Sequence, residues 1–184
     1  MRTATLVEDR RLALFGIVGF TVALAAASQV AIPLPGTPVP ITLQPMLVVL
    51  AGMMLGPVFG AVSMFLYLIA GAAGLPVFAP MGAPGMLRFL GPTGGYLLAY
   101  PVAAYIAGVL ALRVRTFSGR ALSAAAGIGV LYVGGLAQLA IITGSLTRAA
   151  VLGVVPFVAL DGVKSLIAAA VTRSPAVRSP ARAD

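Results

Sequence analysis

Residues 43–73 read LQPMLVVLAGMMLGPVFGAVSMFLYLIAGAA, a stretch of 31 residues without a charge, interrupted once by Gly56-Pro57. Whether it forms one helix or two decides the architecture. Proline lacks the N–H that a helix interior needs, so the stretch is expected to break there into two helices of about 13 and 16 residues. Each is short for a full membrane crossing and is expected to be tilted or buried within protein. The arginines supply the test. With two helices here the chain has six crossings. An N-terminus inside then puts Arg2, Arg10, Arg11, Arg113, Arg115, Arg120, Arg173, Arg178 and Arg182 on the cytoplasmic side, nine against the two of Arg88 and Arg148. One helix would place Arg113, Arg115 and Arg120 outside.

Upstream lies Pro33-Leu-Pro-Gly-Thr-Pro-Val-Pro40, whose four prolines in eight residues forbid a helix and favour an extended, rigid loop. Before it, residues 12–32 form a run of 21 uncharged residues, about 31 Å as a helix and preceded by Arg10 and Arg11. The run is long for a cleaved signal peptide and an equally apolar chain follows, so it is expected to stay. Downstream, a Gly/Pro-rich loop over 74–93 carries Arg88, and apolar segments follow at 96–112, 121–143 and 147–172. The expected fold is an all-α membrane protein, a compact bundle of six transmembrane helices with both termini cytoplasmic. Residues 1–172 form its single domain. The Ser/Pro/Arg/Ala-rich tail 173–184 is expected to be disordered.

Composition agrees. Sixty per cent of the 184 residues are hydrophobic and only 9% are charged, where a water-soluble surface needs about 25%. The chain has no His, Cys or Trp, and its acids are Glu8, Asp9, Asp161 and Asp184. Thiol and histidine nucleophiles, disulfides, iron–sulfur clusters and the usual zinc sites are thereby excluded, as are paired carboxylates and a carboxylate-bound divalent metal. Lys164, the single lysine, follows Val163 rather than the glycine of a phosphate loop, so the chain does not itself draw on ATP. The net charge of +8 comes from arginines set between apolar runs, which is topology rather than nucleic-acid binding.

Three features carry candidate chemistry. Asp161 and Lys164 stand three apart on one helix face, with Asp161 about 16 Å from the cytoplasmic end of its segment. Each charge costs about 2.5 to 3.5 kcal/mol at mid-membrane, which points to a polar ligand or ion site more than to an architectural ion pair. Second, Arg88-Phe-Leu-Gly91-Pro-Thr93-Gly94-Gly95-Tyr96 is a loop entering a helix. Its glycines permit close approach, free N–H groups at the helix start favour an oxygen, and Tyr96 adds a ring with a hydroxyl, although the same residues also mark ordinary turns. Third, small residues recur every four positions at Gly19, Ala23 and Ala27 and at Gly52, Gly56 and Gly60. The glycine series is expected to pack the bundle, and the first helix is free to dock another subunit.

Read together, Ile32-Pro-Leu-Pro with Thr37-Pro-Val-Pro-Ile-Thr-Leu-Gln44, then Gly74-Leu-Pro-Val-Phe78, then Gly91-Pro-Thr-Gly-Gly-Tyr96, and finally Asp161 to Lys164 resemble the BioY family. These are the biotin-binding membrane subunits of energy-coupling factor transporters. The pieces lie in register over residues 12–172. The resemblance implies a substrate-capture subunit in the cytoplasmic membrane that takes up biotin without catalysis or cofactor. Its partners would be a membrane coupling subunit (EcfT type) and cytoplasmic ATPases (EcfA type), with some members operating alone. It implies a binding set of Asp161, Lys164, Arg88, Tyr96, Thr93, Gly94, Gly95, Gln44 and Phe78, and a docking face of Gly19, Ala23 and Ala27. Asp161 and Lys164 complement the ureido ring, and Arg88 is the available cation for the valerate carboxylate, although Lys164 and Arg88 could exchange roles. In two places the sequence departs from the family. Phe78-Ala-Pro-Met-Gly82 has no Asn or Gln where a polar contact is often found, and the arginine-bearing tail has no counterpart.

Two other classes stand against this one. An intramembrane transferase with Asp161 as base and Lys164 as electrostatic stabiliser would lack a second acid, a metal site and a nucleotide motif. An ion-coupled carrier for a small carboxylate or vitamin would run on protonation of Asp161.

Overall fold

A computed structural model describes residues 10–173. The helices are α1 (Arg10–Gln29), α2 (Gln44–Leu55), α3 (Pro57–Ala72), α4 (Gly94–Arg113), α5 (Phe117–Thr143), α6 (Leu146–Gly153) and α7 (Val158–Arg173), with a 3-10 helix over Gly85–Leu90. The break between α2 and α3 falls at Gly56, whose φ of +86° is a conformation that side chains resist, followed at once by Pro57. Helices α1, α4 and α5 are long and apolar enough to cross a membrane, whereas α2 and α3 are shorter apolar helices.

The sixth segment departs from the expected continuous 147–172. It is two helices, α6 and α7, bent by 54° around residues 154–157. Pro156 is the cause, because it offers no N–H to the carbonyl of Leu152 one turn earlier. Phe157 N turns to Val154 O at 2.9 Å instead of to Gly153 O. Two side chains from elsewhere cap the carbonyls released: Thr37 Oγ1 meets Leu152 O and Tyr96 Oη meets Gly153 O, both at 2.5 Å. Other boundaries move less. Helix α5 starts four residues before the expected 121, because Thr116 caps it by accepting from Gly119 N at 3.1 Å.

Glycines set the close approaches. A Cβ on Gly52 would lie 1.8 Å from Ala104 O, and one on Gly60 would lie 2.6 Å from Gly52 Cα, so α2, α3 and α4 meet backbone to backbone as the series at 52, 56 and 60 predicts. Around this seam pack Leu24, Val48, Met64, Tyr67, Tyr100 and Leu131, all buried. Outward faces carry large apolar side chains, with Phe15 75% and Ile141 79% exposed, a surface suited to lipid and not to water. On α1 the buried face is Ala13, Ile17, Leu24 and Ser28, which leaves Gly19 exposed and Ala23 and Ala27 half-buried on the other side. The Pro-rich loop is closed at its base by paired bonds of 2.9 Å between Ile32 and Ile41. The tail expected to be disordered lies outside the described residues from 174 onward.

Candidate functional site

Between the loops and the helix ends lies a cavity of about 740 Å³, its mouth included. Asp161, Lys164, Arg88, Tyr96, Thr93, Gln44 and Phe78 all line it. Residues separated by more than a hundred positions are thus gathered in one space.

Asp161 stands in the first turn of α7, where the bend frees a helix start inside the protein and its dipole favours a negative charge. One carboxylate oxygen, Oδ1, meets Lys164 Nζ at 2.7 Å, the i,i+3 pairing expected from the spacing. The other, Oδ2, accepts from Tyr132 Oη at 2.6 Å. Both charges are buried. Each charge thus has its counter-charge beside it, the acid has a third donor as well, and each group retains hydrogen-bonding capacity for a guest.

Arg88 is bound differently. Among the described residues its guanidinium makes no ion pair. Nη1 donates to Met81 O and Nη2 to Ala79 O, both backbone carbonyls of its own loop. The carbon Cζ sits 5.9 Å from the centroid of the Phe78 ring, and Nε is buried without a hydrogen-bond partner. Burial lowers the pKa of this group from the ordinary arginine value, yet arginine stays protonated at physiological pH. Phe78 meets Tyr67 edge-on at 5.4 Å and Phe89 at 5.7 Å, and Tyr67 stacks on Tyr100 at 6.2 Å. Gln44 Nε2 donates to Tyr67 Oη at 2.8 Å. An aromatic wall therefore joins the basic corner to the rest of the cavity.

Two expected residues serve otherwise. Gly94 and Gly95 do not line the cavity: a Cβ on Gly94 would meet Phe89 O at 2.0 Å, and one on Gly95 would meet Gly134 O at 2.1 Å. They let α4 press against the loop and α5. Thr93, before them, does line the cavity and makes no capping bond to α4. Tyr96 lies over Gly135, where a Cβ would fall 2.0 Å from its ring. Tyr132 was missed, because a tyrosine 29 positions from Asp161 in a different helix carries no local signal. Among the described residues no group of three His, Cys, Asp or Glu side chains stands close enough to hold a metal ion.

The family model for the BioY family matches residues 2–181. A protein described as a probable biotin transporter BioY from Pyrococcus horikoshii is 44% identical over 131 residues, 71% of this chain and 76% of that one. The biotin transporter BioY of Thermotoga maritima is 37% identical over 150 residues, 82% of this chain and 87% of that one. In structure, the crystal structure at 2.1 Å of the S-component for biotin from an ECF-type ABC transporter superposes with a TM-score of 0.82 at 26% identity, covering 92% of this chain and 93% of that one. With its family model matched almost end to end, and with relatives this similar over most of their length, the chain belongs to the BioY family.

Proposed function

We propose that the chain takes up biotin as the S component of an ECF-type transporter, holding the vitamin in the cavity described above. The observation that carries this is the pairing, in one space, of a buried acid–base couple with a buried guanidinium across an aromatic wall. Biotin has a ureido ring with two N–H donors and one carbonyl acceptor, an apolar thiolane and chain, and a carboxylate. Asp161 and Lys164 complement the ring, Phe78 and its neighbours the apolar middle, and Arg88 the carboxylate.

Capture requires no chemistry from the chain, which is non-catalytic in this reading. The nine-to-two arginine asymmetry supports a cytoplasmic-membrane orientation with both termini inside and the loops around the cavity outside. The small-residue stripe of α1, exposed at Gly19 and half-buried at Ala23 and Ala27, suits docking of a membrane coupling subunit, which would bring the cytoplasmic ATPases with it. Calorimetric titration of the purified protein in lipid nanodiscs with biotin tests the capture. One biotin per chain, held without ion gradient or nucleotide, is expected. No heat and no retention of biotin would overturn it, and flux by the lone protein that requires an ion gradient would favour the carrier.

A further inference from the structure

We propose that Ser28 and Gln29, at the end of α1, are positioning residues for ligand capture: they hold the loop that carries Phe78 and so place the aromatic wall against Arg88. This rests on the cavity being the capture site. The loop over residues 76–81 has three consecutive carbonyls that need donors, and the prolines at 76 and 80 bring no N–H of their own. Donors on α1 reach all three, sharing their protons with Ala25 O of their own helix, which lies 2.7 Å from Ser28 Oγ and 3.3 Å from Gln29 Nε2. Ser28 Oγ lies 2.5 Å from Val77 O, and Gln29 Nε2 lies 3.2 Å from both Pro76 O and Phe78 O. Gln29 Nε2 also reaches Ser28 Oγ at 2.8 Å, so the two side chains brace each other. The amide must present its nitrogen here, because the carbonyls around it only accept.

From Phe78 onward the hold passes to Arg88, which takes Ala79 O and Met81 O. The ring of Phe78 is the joint between the two. It lies on Gly71, where a Cβ would fall 2.1 Å from it, and under the guanidinium of Arg88. A shift of the backbone at 76–78 therefore moves the wall and the cation together. Ser28 is fully buried, and neither it nor Gln29 lines the cavity; Ser28 also bonds to the cavity-lining Tyr67, so its effect on a ligand passes through the loop and that ring, whereas that of Gln29 passes through the loop.

Two readouts test this on the full chain in nanodiscs. Because the chain has no cysteine, a nitroxide on Met81→Cys reports loop motion in the absence of ligand. Release of tritiated biotin, chased with excess unlabelled biotin, reports the consequence for capture. Gln29→Glu keeps the shape but turns a carboxylate toward carbonyls, whereas Gln29→Lys keeps an N–H donor. Gln29→Glu and Ser28→Ala should each narrow the nitroxide line and speed release about threefold to tenfold, while Gln29→Lys stays within about twofold of the native rate. A native line shape and a native release rate in Gln29→Glu would overturn the proposal, as would Gln29→Lys being as damaging as Gln29→Glu. Should the native protein retain no biotin, it is the ligand assignment that fails, and the line shape alone then decides the role of the two residues.

Discussion

The two charged corners of the cavity solve the same problem in different ways. At the Asp161 corner the charges neutralise one another within a single helix, and one further donor, Tyr132, completes the acid. At the Arg88 corner the cation has no counter-ion among the described residues and leans on two loop carbonyls and an aromatic ring. The first corner is charge-neutral before a ligand arrives, and a guest adds hydrogen bonds to the lone pairs and N–H groups that Asp161 and Lys164 still have to offer. The second holds an unneutralised charge, so a guest carboxylate brings what is missing. A polar but uncharged ring belongs at the first corner and an anion at the second.

This contrast sets the order of the expected effects. Asp161→Asn should be the most damaging, because it strips the ring's acceptor and leaves Lys164 buried without a counter-charge. Losing one member of a desolvated charge pair costs about 2 to 5 kcal/mol, so biotin affinity measured by calorimetry should fall at least about thirtyfold. Native affinity with lowered thermal stability would make the pair purely architectural. Arg88→Lys comes next, at about tenfold, since one ammonium cannot reach both Ala79 O and Met81 O with the planar fork that guanidinium offers. Equal affinities in Arg88→Lys and native protein would mean that charge alone matters there. Tyr132→Phe removes a single donor to Asp161, and an affinity loss of about fivefold is expected with Lys164 still in place. A loss as large as that of Asp161→Asn would show that Tyr132 touches the ligand itself. Smallest is Gly82→Ala, at about threefold. A Cβ there would lie 2.4 Å from Arg88 Nη1, and the φ of +113° suits glycine, so the cation is displaced without altering any lining side chain. An unchanged affinity would show the loop adapting around it.

The same contrast explains what could be read from the sequence. The Asp161 corner was legible because helix periodicity alone brings residues 161 and 164 together, and the cost of burying charge in lipid marks them as purposeful. The division of 43–73 into two helices was legible too, through Gly56-Pro57 and the arginine balance. The bend in the sixth segment carried a signal in Pro156 that was passed over, since proline is tolerated in many membrane helices once other groups satisfy the freed carbonyls. Here Thr37 and Tyr96 do so, from positions that no local pattern connects to it. Gly94 and Gly95 were ambiguous in the sequence, since a glycine pair at a helix start permits either a ligand or a neighbouring backbone to come close, and the structure places Phe89 O and Gly134 O against them. The bonds from Tyr132 to Asp161 and from Ser28 and Gln29 to the 76–78 carbonyls are made across helices or onto loops, and sequence spacing does not encode them.

The most direct test of the two-corner account is a cycle with two ligands, biotin and biotinamide, whose neutral amide replaces the carboxylate, each titrated into native protein and Arg88→Met. The native protein should prefer biotin by at least about tenfold, and Arg88→Met should bind the two alike. A preference for biotin that survives intact in Arg88→Met would contradict the account and move the carboxylate to Lys164.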